Sequence, residues 1–119
     1  MEQSRTLKIA VVDDEIADIY SLVLRSLGYP APSIFNSGTA LVRALMADHM
    51  YFDVILMDYR MPEMDGIEAA KIVKRYRKNT QIIITSGYDF VKEKAHQIGA
   101  PFLQKPFSRE QLAQVLART

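Results

Sequence analysis

The chain has 119 residues, 49% of them hydrophobic and 24% charged, with a formal net charge of +1 and a pI of about 8.0. That length supports one domain with a single core, so residues 1–119 are expected to form one unit. The near-neutral balance provides no broad field for holding nucleic acid or an anionic membrane, and the absence of cysteine excludes disulfides, thiol nucleophiles and thiolate metal sites.

The opening "MEQSRTLKIAVVDDE" does not read as a signal peptide. Its apolar run is short and ends in three acids, with no small-residue cleavage site. No later segment approaches the roughly 20 apolar residues needed to span a bilayer. The expectation is a cytoplasmic domain whose Met1 is a natural N-terminus. "LKIAVV" (Leu7–Val12) predicts a strand, and "SLVLRSLG" a helix carrying Leu22, Val23, Leu24 and Leu27 and stopped by Gly28. "SIF" is a short second strand, followed by "TALVRALMA", a helix with Leu41, Leu45 and Met46 inward. "VILM" is the third strand. The helix "DGIEAAKIVKRYRK" follows, with Asp65 and Glu68 at the spacing of a capping box. "QIIIT" and "PFLQK" are the fourth and fifth strands, separated by a helix, "VKEKAHQIGA", that closes at Gly99. "SREQLAQVLA" is the last helix, with Ser108 and Gln111 as a second capping pair.

Five strand–helix units predict an α/β fold: a flavodoxin-like, doubly wound parallel sheet covered on both faces. The unbroken runs "IAVV", "VILM" and "IIIT" belong in the interior, whereas the short "SIF" and the Pro101-led "PFLQ" suit the edges. Right-handed crossovers then give the strand order 2-1-3-4-5, with ligands expected beyond the carboxyl ends.

The residues just past those ends carry the chemistry. The first strand leads into Asp13-Asp14, the third into Asp58, the fourth into Thr85-Ser86 and the fifth into Lys105. Singly, each has a structural explanation as a cap, a turn former or a solvated charge. Together they put three acids, a hydroxyl and an ammonium at one edge. Two carboxylates about 4 Å apart repel by roughly 4 kcal/mol at an effective dielectric near 20, and a divalent cation removes that repulsion. All-oxygen ligation in a shallow site suits Mg²⁺. Lys105 and Thr85 can meet phosphoryl oxygens, leaving Asp58 as a nucleophile that forms an acyl phosphate.

The segments "VVDDE", "MDYRMPEMDG", "ITSG" and "GAPFLQKPF", in this order and at these spacings, resemble the receiver domain of two-component response regulators from Lys8 to about Leu116. The resemblance implies that Asp58 takes a phosphoryl group from a histidine kinase or a histidine phosphotransfer protein. It implies Mg²⁺, with Mn²⁺ as a possible substitute, bound by Asp14 and Asp58, by Asp13 largely through water, and by the Arg60 backbone carbonyl. Thr85 and Phe102 would form a switch pair acting on the face of the fourth helix, fifth strand and fifth helix, and the bond before Pro106 would be cis, aiming Lys105 at the site. Pro62 and Gly66 would shape the loop after Asp58. An output domain or target protein, and a homodimer formed on phosphorylation, are the further partners it implies.

Arg60 departs from the commoner smaller or neutral residue two positions beyond the acceptor, and we expect it either to overhang the phosphoryl group or to be solvated. An aspartate-nucleophile phosphohydrolase is a competing reading. Such enzymes commonly place an acid where Arg60 stands, and the chain has no room for a cap domain. A receiver-like module that binds partners without phosphorylation is a third; the complete set of site residues argues against it. His49 and His96 read as surface residues, the basic run on the third helix as a solvated face, and Tyr88 and Phe90 as part core and part partner surface. No nucleic-acid-binding motif is present, and the chemistry expected is confined to self-phosphorylation and autodephosphorylation.

Overall fold

The computed structural model describes residues 6–118. The expectations for Met1 and the opening residues lie outside that span. Ten elements alternate along the chain: β1 (Ile9–Val12), α1 (Ala17–Ser26), β2 (Ser33–Phe35), α2 (Gly38–Met46), β3 (Val54–Asp58), α3 (Gly66–Tyr76), β4 (Gln81–Ser86), α4 (Phe90–Gln97), β5 (Phe102–Gln104) and α5 (Arg109–Ala117). The strands form one parallel sheet in the order β2-β1-β3-β4-β5, as the apolar runs required. The interior strands β1 and β3 are buried at every position, while the short β2 and β5 take the edges.

The two-residue alternation of the strands sorts the core into two layers. Ala10, Val12, Ile55, Met57, Ile82 and Ile84 turn to one face and meet Leu41 and Leu45 of α2, Ala69 and Val73 of α3, and Val91 and Ala95 of α4. Ile9, Val11, Val54, Leu56, Ile83 and Leu103 turn to the other, against Tyr20 and Leu24 of α1 and Leu112 and Leu116 of α5. Each large side chain sealed in this way contributes about 1.5–3 kcal/mol relative to exposure.

Both capping boxes form. Asp65 accepts from the Glu68 amide while Glu68 accepts from the Asp65 amide, and Ser108 and Gln111 repeat the arrangement. Ser37, which the sequence reading did not single out, caps α2 by accepting from the Ala40 amide. Gly28 follows α1 with φ 93, a left-handed value that glycine adopts without a Cβ clash.

The inward expectation for Met46 is corrected, and Leu22, counted in the apolar pattern of the first helix, also faces out. Leu22 is 70% exposed and Met46 46% exposed. Helix geometry gives the reason: α1 buries Tyr20 and Leu24, and Leu22, midway between them, lies on the opposite side. Met46 sits a further 100° round from Leu45. β1 also begins two residues later than predicted, at Ile9, and β5 shrinks to Phe102–Gln104.

Candidate functional site

Carried one step past the core, the same alternation delivers the polar residues to a single face. Asp13 follows Val11, Asp58 follows Leu56, Thr85 follows Ile83 and Lys105 follows Leu103, so all four continue the side covered by α1 and α5. Asp58 remains within β3 and is paired in the ladder with Thr85. The loops that hold this edge are tied to the sheet. The Asp13 amide donates to the Phe35 carbonyl, the Tyr59 amide to the Thr85 carbonyl and the Lys105 amide to the Ser86 carbonyl.

Asp13 is almost fully buried, and its Oδ1 accepts from the amides of Glu15 and Ile16 at 2.8 and 3.0 Å, which fixes the carboxylate as β1 turns into α1. Its Oδ2 faces Lys105 Nζ at 3.1 Å, and the same ammonium donates to Asp58 Oδ1 at 2.8 Å. Asp14 is exposed at the rim. Asp13, Asp14 and Asp58 each present a carboxylate oxygen within 4.8 Å of the other two. The bond between Lys105 and Pro106 is cis.

Gly66 brings the start of α3 close beneath Asp58. A Cβ there would stand 2.3 Å from the Asp58 carbonyl oxygen, so only glycine fits at this approach. The result is an open cleft bordered by Asp14, Asp58, Arg60, Pro62, Gly87 and Lys105.

The electrostatics are tense. Burial pushes the Asp58 pKa up; the hydrogen bond and charge of Lys105 pull it down, and the Asp13 and Asp14 charges raise it further, leaving it above the ordinary carboxylate value. Burial disfavours the Lys105 ammonium, but the hydrogen bond to Asp58 and the neighbouring acids overcome this and hold its pKa above the usual range. Three crowded carboxylates, one of them resisting ionisation, form an all-oxygen donor set that a hard divalent cation would relieve. The residues present fit Mg²⁺.

Not every predicted residue joins this group. The ladder partner of Thr85 is Leu103, while Phe102 pairs with Ile84 and packs, half-buried, against the layer of α2, α3 and α4. Thr85 and Phe102 therefore sit on adjacent strands but on opposite faces of the sheet. Arg60 borders the cleft, and its guanidinium donates to the Tyr88 hydroxyl and lies 5.6 Å from the centre of that ring. It offers no acid to a leaving group, which leaves the phosphohydrolase reading without its second carboxyl. Sequence reasoning passed over Tyr20, whose buried hydroxyl lies close to Thr85 and Lys105. Its spacing to Leu24 on one helical face was the available signal.

An open doubly wound sheet with an acidic trio, a hydroxyl and an ammonium at its carboxyl edge defines a receiver-type domain. Residues 9–117 match the family model of the response regulator receiver domain. The chain is 35% identical over 116 residues to the regulatory protein AtoC of Escherichia coli, covering 93% of this chain and 24% of AtoC. It is 30% identical over 115 residues to the chemotaxis protein CheY of Treponema pallidum, covering 92% and 80%. Among solved structures, chemotaxis protein CheY4 of Vibrio cholerae superposes with a TM-score of 0.82 at 30% identity, over 95% of this chain and 98% of that one. The receiver domain of a Pseudomonas aeruginosa sensor histidine kinase, solved with a magnesium ion coordinated in its active-site cleft, gives 0.80 at 30% identity over 95% and 96%. The chain belongs to the response regulator receiver domain family. It spans about a quarter of the length of AtoC, the first of these relatives. No helix among the described residues is long and apolar enough to cross a membrane.

Proposed function

We propose that Asp58 is the phosphoacceptor and that its modification switches the domain between two states. The donor is a phosphohistidine on a histidine kinase or a histidine phosphotransfer protein. A carboxylate oxygen of Asp58 attacks phosphorus, the new P–O bond forms as the P–N bond breaks, and the departing imidazole nitrogen takes up a proton. Asp13, Asp14 and Asp58, with the Arg60 backbone carbonyl, would hold Mg²⁺ or in its place Mn²⁺, which when bound offsets negative charge on the phosphoryl oxygens. Lys105 moves from bridging two carboxylates to pairing with a phosphoryl oxygen, and the Thr85 hydroxyl turns to donate to another. Phe102, on the far side of the sheet, carries the change to the face of α4, β5 and α5, whose two arrangements the modification biases.

Residues 1–119 act on this reading as one receiver unit, cytoplasmic, whose only chemistry is its own phosphorylation and dephosphorylation. Its output passes to a further domain or a target protein, and a phosphorylation-dependent homodimer is one form that output takes. A single observation carries the proposal: Lys105 Nζ spans Asp13 and Asp58 at 3.1 and 2.8 Å within a trio of converging carboxylates. Incubation with acetyl phosphate and Mg²⁺ followed by intact mass measurement tests it. The expected result is one added phosphoryl group, which does not form when the cation is chelated beforehand and is absent in Asp58→Asn. An unmodified wild-type chain, or steady turnover of a generic phosphate ester, would overturn it.

A further inference from the structure

The phosphoacceptor reading leaves one buried polar group unused, the hydroxyl of Tyr20. Tyr20 sits one helical turn before Leu24 on the inner side of α1, 3% exposed, with its ring 5.7 Å from that of Phe107. Lys105 and Pro106 line the same small groove between α1 and the loop leading to α5. Among the described residues, the Tyr20 and Thr85 hydroxyls are the buried side-chain oxygens that complete no hydrogen bond.

They are also neighbours. Thr85 continues the face of Ile83, which is the face α1 covers, so one hydroxyl arrives from the sheet and the other from the helix. The pair is close enough for Thr85 to influence the ionisation of the phenol, and the charges of Lys105, Asp13 and Asp58 are felt there too. Burial dominates and keeps the phenol protonated, so Tyr20 remains an O–H donor. Ring packing alone accounts for an aromatic residue here, and phenylalanine would satisfy it. The hydroxyl, sealed from solvent at a desolvation cost, is the part that packing does not explain.

We propose that Tyr20 is a positioning residue for Thr85: with an anionic group on Asp58, the Tyr20 O–H donates to Thr85 Oγ1 while the Thr85 O–H donates to the anion. The chain of two hydrogen bonds gives both hydroxyls the partners they lack. It also ties α1, on the face opposite Phe102, to the state of Asp58. This inference rests on the phosphoacceptor reading.

Beryllofluoride with Mg²⁺, a non-hydrolysing mimic of a phosphoryl group on a carboxylate, is the probe. Its affinity is measured for wild type, Tyr20→Phe, Thr85→Val and the double variant, alongside NMR of tyrosine labelled at the ring carbon bearing oxygen. Removing the Tyr20 hydroxyl is expected to weaken binding about fivefold in the Thr85 background and to have no effect in the Val background. The Tyr20 resonance is expected to shift on binding in wild type and to stay in place in Thr85→Val. Equal affinities for wild type and Tyr20→Phe, or the same loss in both backgrounds, would reduce Tyr20 to a packing residue while leaving the Asp58 reading intact. Should Tyr20→Phe fail to fold, an unmoved Tyr20 resonance in saturated wild type overturns the inference. A wild type that neither binds beryllofluoride nor takes phosphate from acetyl phosphate overturns both readings.

Discussion

The two faces of the sheet are built from the same apolar ladder and end differently. Toward α2, α3 and α4 the alternation runs from Met57 to Tyr59, which meets Phe90 at 5.8 Å, and reaches Asp14 and Ser86 beyond Val12 and Ile84 without an ion pair among them. Toward α1 and α5 it ends in Asp13, Asp58, Thr85 and Lys105. A period of two residues, extended by one step, sets the ion-paired Asp13, Asp58 and Lys105 on one face alone. Stability and charge chemistry should thus respond to different substitutions.

The hardest blow to that separation comes from Phe52, fully buried in the apolar layer. Phe52→Ala is expected to cost about 3–5 kcal/mol in urea unfolding. The folded fraction should keep its response to Mg²⁺; a lost response would mean the two faces are not separable. On the face of Asp13, Asp58 and Lys105 the expected response is to the cation instead. A hundredfold excess of Mg²⁺ over its Kd should stabilise the wild type by about 2.7 kcal/mol, and Asp58→Asn should lose most of this gain. Thermal melts at stepped Mg²⁺ concentrations read both.

Gly66 is where the faces meet, because its backbone lies under the Asp58 carbonyl. Gly66→Ala should cost about 1–3 kcal/mol by forcing α3 away from β3, and unlike Phe52→Ala it should also weaken Mg²⁺ binding. Calorimetric titration on the folded variant separates the two effects. The smallest effect concerns pH. Since the Asp58 pKa in the folded state is above its ordinary value of about 3.9, the native state holds more protons than the unfolded one in the window between them. Stability contributed by this group is therefore present below that window and falls as pH rises through it. Without metal, Asp58→Asn should be the more stable form at pH 7, with the difference closing as pH drops below about 4.

Most of the architecture was legible because strand burial and edge position leave different residues behind. "VILM" and "IIIT" could only be interior, and Asp65–Glu68 and Ser108–Gln111 announced two helix starts that formed as capping boxes. The convergence of Asp13, Asp14, Asp58 and Lys105 followed from strand ends alone. What was not legible depends on rotation about an axis or on contacts distant in sequence. Leu22 and Met46 are apolar yet outward, since hydrophobicity does not say which side of a helix meets the sheet. The pairing of Arg60 with Tyr88 joins residues 28 positions apart, with no periodic signal to betray it. Tyr20 falls before the stretch 21–28 that predicted the first helix, and only the earlier start of α1 at Ala17 sets its hydroxyl near Thr85.

The central claim is that this polar rim directs a phosphoryl group to one carboxylate. Borohydride reduction of the acetyl-phosphate-treated protein converts an acyl phosphate to homoserine, which peptide sequencing by mass spectrometry locates. Homoserine is expected at position 58 alone, and only when a divalent cation was present. Homoserine at position 13 or 14, or at 58 without any cation, would contradict it.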